Sequence, residues 1–345
     1  MAFKKKESRS SGESGSNMSL TCLKKLMSPL ASIVLLAAFG FSRPIQEQSS
    51  TPTRPARGSE QKQEDVIRLR SRLVVVPISA SDASGRPVRD LTLGDFQVEE
   101  EGKAQQIVSL GEPGKTPVEI ALLFDISGST NAQFSFEQRA AAEFVKDVLK
   151  PNDTLTVFSI GCVPKLVQAR TTNPQDGING INSLSPSKDP TAFFDAVVDG
   201  ATYLGKHAEV GGRRVVLVIS DGEENFSERS TLKDALEYLL KNDCLFYAIN
   251  PTGAAITLNR VSLKGQSFMD AMSAQTGGKA FLPERIEDLS GVFKQVAEEL
   301  QAQYLFGYYS TDVTPDGGFR RITVKTPKRP ELRLRARQGY YAPKS

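Results

Sequence analysis

Between Pro117 and about Gln303, short apolar runs alternate with stretches of helical period. This alternation constrains the fold more than any other feature of the chain. The runs are "VEIALLF", "TLTVFSIG", "RRVVLVIS", "CLFYAIN" and "KAFL". Between the first two, Phe136, Ala140, Phe144, Val145, Val148 and Leu149 form an apolar stripe. Ser135 opens it with Gln138 three residues on, the spacing of a capping box. Leu232, Ala235, Leu236, Leu239 and Leu240 form a second stripe, and Leu289, Val292, Phe293 and Val296 a third. Strand, helix and strand repeated in this way predict an α/β fold, a doubly wound and mainly parallel sheet with helices on both faces. Continuously apolar strands suit it, because a strand covered on both sides has no wet face.

The flanks read differently. From Val66 to Leu110, strand-like segments are separated by turn signals such as "DASG" and "EEGK", and Pro77 inside the first long run predicts an edge strand or a bulge. After the last helix, "YLFGYYS", "FRRITVKTP" and "ELRLRARQGYY" return to strand character, with "TPDGG" as the turn between the first two. No helices follow to cover these strands. The expected organisation is therefore a parallel-sheet domain over 117–303 and one small β-domain, begun by residues 66–116 and completed by 304–345.

Residues 1–42 have a basic start followed by "LMSPLASIVLLAAFGFS", which reads as an export signal peptide or, if uncleaved, an N-terminal anchor. Residues 43–65 are polar and proline-bearing and are expected to be a disordered linker. The protein is therefore expected outside the cytoplasm, whether periplasmic, on the cell surface or secreted. The net charge of +3 is concentrated in the first 25 residues, which carry +4, so the chain from Arg43 onward sums to −1. Such a balance gives no support to a nucleic-acid partner. One histidine, His207, and no tryptophan remove most imidazole-based catalysis.

Three short motifs fall at related places. Asp125, Ser127 and Ser129 follow the first core strand, Asp221 follows "RRVVLVIS", and Thr191 opens another helix. In a doubly wound sheet, ligands bind beyond the carboxyl ends of the strands where the winding reverses. Two carboxylates and three hydroxyls are hard oxygen donors that suit Mg²⁺, with Mn²⁺ or Ca²⁺ as alternatives. Two carboxylates about 5 Å apart at an effective dielectric near 20 repel by roughly 3 kcal/mol, which a divalent cation turns into attraction, and Glu223 and Glu224 are expected to add to that field. Taken singly, Thr191 also reads as a helix N-cap and Asp221-Gly222 as an ordinary turn.

"DISGS", the isolated threonine and "SDG" together resemble the metal-ion-dependent adhesion site of von Willebrand factor A domains over about residues 117–300. The flanks "DASGRPVRDLTLGDFQVEEEGKAQQI" and "RLRARQGYYA" look like a bacterial family of exported von Willebrand factor A-related proteins. The resemblance implies that Ser127 and Ser129 bind the metal directly, Thr191 directly or through water, and Asp125 and Asp221 largely through water. An open position is then left for an exposed Asp or Glu of a protein partner. Asp189-Pro190 stands before Thr191 where a glycine is usual, and a proline restricts that loop. The family's sheet order also implies two strands between Cys162 and Cys244, too far for a bridge, so both are expected as free buried thiols.

The leading expectation is a metal-dependent protein-binding module without enzyme activity. One alternative is contact with an anionic envelope surface through Arg333, Arg335 and Arg337, which alternate with apolar residues on one strand face. Another is a metal-assisted hydrolase using Glu223 as base. Tyr340 and Tyr341 are expected to pack the β-domain.

Overall fold

The computed structural model describes residues 73–128, 131–252 and 260–344, with 131 and 132 as backbone only. The expected leader and linker, residues 66–72 and Ser129 lie outside the described residues. In chain order the elements are β1 (Leu73–Ser81), β2 (Gln97–Glu100), β3 (Lys103–Gln105), β4 (Ile107–Gly111), β5 (Val118–Asp125), α1 (Asn131–Val148), β6 (Thr154–Ile160) and β7 (Lys165–Thr171). There follow α2 (Pro174–Asn182), α3 (Phe193–His207), β8 (Arg213–Ile219), α4 (Leu232–Lys241), β9 (Cys244–Ile249), α5 (Arg260–Thr276), β10 (Ala280–Phe281) and α6 (Leu289–Ala302). The chain closes with β11 (Tyr304–Tyr309), β12 (Phe319–Lys325), β13 (Arg333–Ala336) and β14 (Gly339–Tyr341).

The central sheet runs β10-β9-β8-β5-β6-β7, parallel except for β7. Every residue of β5, β6, β8 and β9 is buried or nearly so, as strands covered on both faces require. Alternate residues of β5 serve opposite cores. Ile120, Leu122 and Phe124 pack with α1, α2 and α6, while Ala121 and Leu123 pack with α3, α4 and α5. The chain leaves β5 for β6 on one side and returns to β8 on the other, so the winding reverses between β5 and β8. None of the described helices is long and apolar enough to cross a membrane.

Two antiparallel sheets, β13-β1-β11-β4 and β14-β12-β2-β3, combine strands from both flanks around one core that includes Val76, Ile78, Phe96, Val98, Phe306, Tyr308 and Tyr340. Strand β13 pairs β1 only over Ile78–Ser81, so at Pro77, which lies opposite Leu305, the strand has a neighbour, β11, on one side alone. "TPDGG" does not close a hairpin: β11 and β12 belong to different sheets, and the segment crosses from one to the other. The expected capping box is also absent. Helix α1 begins at Asn131, and Gln138 lies inside it, donating to the carbonyls of Ile181 and Leu184. The capping box instead occurs at α4, where Thr231 and Asp234 satisfy one another's backbone N–H groups.

Polar side chains tie the β-domain to the central sheet. Glu299 on α6 accepts from Ser79 of β1 at 3.1 Å, from the Tyr247 hydroxyl, and from Arg335 beyond β1. Arg337 is 6% exposed and pairs with Asp243. Two of the three arginines expected on a solvated basic face are thus engaged inside the molecule, leaving Arg333 exposed. Two strands, β5 and β8, separate β6 from β9, and Cys244 is a free buried thiol that does not bridge to Cys162. Cys162 is nevertheless disulfide-bonded, which corrects the free thiol expected there; that expectation weighed it only against Cys244.

Truncation of a largely buried charged hub leaves its partners uncompensated. Glu299→Ala is expected to lower unfolding free energy by about 2–3 kcal/mol and to separate the β-domain transition from that of the central sheet. Urea unfolding followed by two local probes measures both effects.

Candidate metal centre

Strands β5 and β8 are hydrogen-bonded neighbours with Phe124 opposite Ile219, so Asp125 and Asp221 emerge side by side at the winding reversal. Beyond β5 the chain turns through Gly128, whose φ of +67° lies in the region that favours glycine. This turn pairs with the segment after α2: Ser187 N donates to Ile126 O at 2.6 Å, Gly128 N donates to Ser187 O at 3.3 Å, and Ser127 bridges Ser187. The pairing brings Thr191 beneath Ser127.

The side chains form a continuous path. Ser127 donates from its backbone N and its Oγ to Asp125 Oδ1, at 2.9 and 2.7 Å. Thr191 Oγ1 donates to Ser127 Oγ at 2.8 Å. Thr191 is 2% exposed and is not an N-cap: Ala192 holds that position before α3, and the threonine hydroxyl goes to the site instead. Pro190 does not prevent this. The loop's fixed amides belong to Asp189, bonded to Ser187 Oγ, Thr191, bonded to Asn225 Oδ1, and Ala192, bonded to Gly161 O, so the proline's missing N–H is not needed.

Asp221 lines the same cleft as Asp125 and Ser127, a space of about 250 Å³ that also meets Gln133, Glu137, Ser220, Glu223 and Thr252. Its Oδ1 accepts from Glu223 N at 2.9 Å. Four of the five expected site residues therefore converge at one edge of the sheet, and Ser129 lies outside the described residues. The donor atoms are hard oxygens of the kind Mg²⁺ takes, two of the links between them are ordinary hydrogen bonds, and among the described residues no three acidic, histidine or cysteine side chains form a group that could hold a metal ion.

Several participants were not singled out by the sequence. Ser220 donates its hydroxyl to Asp125 Oδ2 at 2.6 Å and accepts from Gly222 N at 2.9 Å, so it orients the aspartate from the neighbouring strand. Gly222 has φ +75°, and a Cβ there would stand 2.7 Å from the Gly265 carbonyl oxygen, so the "SDG" turn and α5 meet backbone to backbone. Glu224 leaves the site's field altogether. Its carboxylate accepts from Phe194 N, Phe226 N, Ser227 N and Ser227 Oγ, capping the positive end of α3. His207 ends α3 against the ring of Tyr203, away from the site.

Burial drives the electrostatics. Asp125, 7% exposed, is pushed up to about 6 by desolvation and further by Asp221, against the pull of its bonds from Ser220 and Ser127. Asp221 is raised by desolvation and by Glu223. Glu137 of α1 is pushed up to about 7 by desolvation, and the Asp125 and Asp221 charges add to it while Gln133 opposes.

An acid whose folded value is raised binds a proton more readily folded than unfolded. Its destabilisation is absent below the unfolded value, grows as pH climbs through the interval up to the folded value, and is complete above it. In chelator, Glu137→Gln is therefore expected to stabilise the protein by on the order of 2–3 kcal/mol at pH 8 and to change little at pH 4. Denaturant unfolding at the two pH values measures the difference.

Residues 120–224 match the family model of the von Willebrand factor type A domain. No curated protein matches the chain. Among solved structures, it is similar to an aerotolerance-related membrane protein from Bacteroides fragilis at 18% identity and a TM-score of 0.42, covering 53% of this chain and 98% of that one. It is also similar to a von Willebrand factor type A protein from Catenulispora acidiphila, at 10% identity and a TM-score of 0.44, over 67% of this chain and 50% of that one. A third similar structure is proximal thread matrix protein 1 from the mussel byssus with a zinc-occupied MIDAS motif, at 18% identity and a TM-score of 0.45, over 57% of this chain and 48% of that one. The family match contains Asp125, Ser127, Thr191 and Asp221 together with β6, β7, β8 and all but the first two residues of β5.

Proposed function

We propose that this chain is an exported binding module that takes a protein partner through a divalent cation at the carboxyl ends of β5 and β8. The observation that carries the reading is the unbroken path Asp125–Ser127–Thr191, built from loops 64 residues apart, with Asp221 lining the same cleft. Ser127 and Ser129 hold the cation directly, Thr191 directly or through water, and Asp125 and Asp221 largely through water. Mg²⁺ is the expected ion, because an oxygen donor set with few carboxylates in contact suits a cation that keeps several waters.

When bound, the cation supplies a positive vertex with an open position for an acidic side chain of the partner. The protein's own residues prepare that vertex. Ser220, just beyond β8, donates to one oxygen of Asp125, and Ser127, in the turn after β5, donates to the other. The Gly222–Gly265 contact sets the height of Asp221. Export rests on the apolar leader after a basic start. The hydrolase alternative would use Glu223, which lines the cleft and accepts from Ser262 Oγ at 3.4 Å. The anionic-surface alternative keeps Arg333 exposed, while Arg335 and Arg337 pair with Glu299 and Asp243.

Mg²⁺ is expected to raise the melting temperature of the wild-type chain and Ser127→Ala to remove that shift, while loss of the hydroxyl bonded to Asp125 and Thr191 lowers the stability of the chelated protein by about 1–3 kcal/mol. Affinity capture from envelope extract should retain an acidic partner only with the cation present. Capture that survives both chelation and Ser127→Ala sinks the reading.

A further inference from the structure

Most buried carboxylates of this protein are saturated by donors. Glu119 receives Thr154, Arg170 and the Glu209 amide. Glu100 receives Tyr308, Ser310 and Tyr340. Glu299 receives Ser79, Tyr247 and Arg335. Glu137 differs. It is 2% exposed, and its Oε1 is, among the described residues, a buried carboxylate oxygen without any hydrogen-bond partner.

The location of this orphan explains what it is for. Glu137 projects from the second turn of α1 and lines the cleft together with Asp125, Asp221 and Glu223, and among the described residues no lysine, arginine or histidine lines it. An unmet buried acceptor costs about 1–3 kcal/mol, and more when charged. A leucine would fill the same space without that cost. A cation, or water held on one, is the group that turns an unmatched acidic oxygen into a favourable one in a cleft whose charged lining residues, among those described, are all acidic.

We propose that Glu137 serves the cation site from the outer sphere: no three acidic side chains among the described residues are gathered closely enough to ligate one ion, so its Oε1 would accept from a water on a cation held by Asp125, Ser127, Thr191 and Asp221. This rests on the cation reading above. It adds a third carboxylate from a third element, so that the ion ties α1 to the ends of β5 and β8. The five-residue motif does not contain it, because Glu137 lies twelve positions beyond Asp125 on a helix whose apolar stripe masks a lone acid.

Calorimetric titration of Mg²⁺ and Mn²⁺ into the chelator-stripped full chain at pH 7.5 tests the assignment. Glu137→Gln is expected to weaken both ions about 10–100-fold, the range found when a supporting carboxylate is lost, with an unchanged far-ultraviolet spectrum. Glu137→Asp, which keeps the charge and shortens the reach, is expected to fall between that variant and the wild type. If Glu137→Gln binds within twofold of wild type while Ser127→Ala binds nothing, the proposal is overturned and the cation reading stands. Should Glu137→Gln not fold, an undiminished affinity in Glu137→Asp overturns it instead. Wild type that takes up neither ion overturns both.

Discussion

The carboxylate of Asp125 ends a strand on which every side chain is buried, and that burial makes a charge there expensive unless neighbours compensate it. The surrounding structure is organised to do so. Ser220 reaches it from the adjoining strand because β5 and β8 run parallel in register. Ser127 reaches it because the chain turns sharply through Gly128. Neutral hydroxyls reduce the penalty without cancelling the charge, and Asp221 beside it increases the penalty. The edge of the sheet is thus held acidic and partly desolvated, the condition under which a divalent cation is attracted most strongly.

The same economy of polar groups governs the junction between the β-domain and the central sheet. Glu299 and Gln303 on the α6 side meet Ser79, Tyr247 and Arg335, and Arg213 of β8 donates to Gln303, so the contact is hydrogen-bonded as well as packed. Helix α6 therefore belongs to both units: its apolar face fills the core beneath β5 while its polar face holds β1 and the neighbouring Arg335. A strand face that reads as a basic surface in one dimension becomes, once folded, a set of internal ion pairs. Charge alternation along a strand says which residues share a face and says nothing of what that face meets.

Much of the centre was legible. The apolar runs located β5, β6, β8 and β9, and the placement of Asp125 and Asp221 at strand ends followed from the reversal of winding once β5 and β8 are neighbours. Thr191 was legible only as a choice between a helix cap and a site hydroxyl, because both uses require the same residue at a helix start. Ser187 backbone pairing with the Gly128 turn decides between them. Ser220 and Glu137 were not singled out. A serine before "DG" and a glutamate within a helical stripe carry no local signal, and their roles arise from neighbours distant in the chain. Ser135 and Gln138 failed as a capping box because the helix starts one turn earlier, and the glutamine serves the loop after α2 instead.

The sequence by itself determined the layered α/β core, because continuous apolar strands and amphipathic helices each have one low-energy way to bury their surfaces. It also determined the oxygen chemistry of the candidate site, since hardness belongs to the donor atoms wherever they are placed. Tertiary structure alone decided which oxygens meet. A hydrogen bond or a shared cation needs atoms within about 3 Å, and sequence spacing does not control distance between loops 64 residues apart. It likewise decided that Glu224 caps a helix while Glu137, farther along the chain from "SDG", faces the cleft.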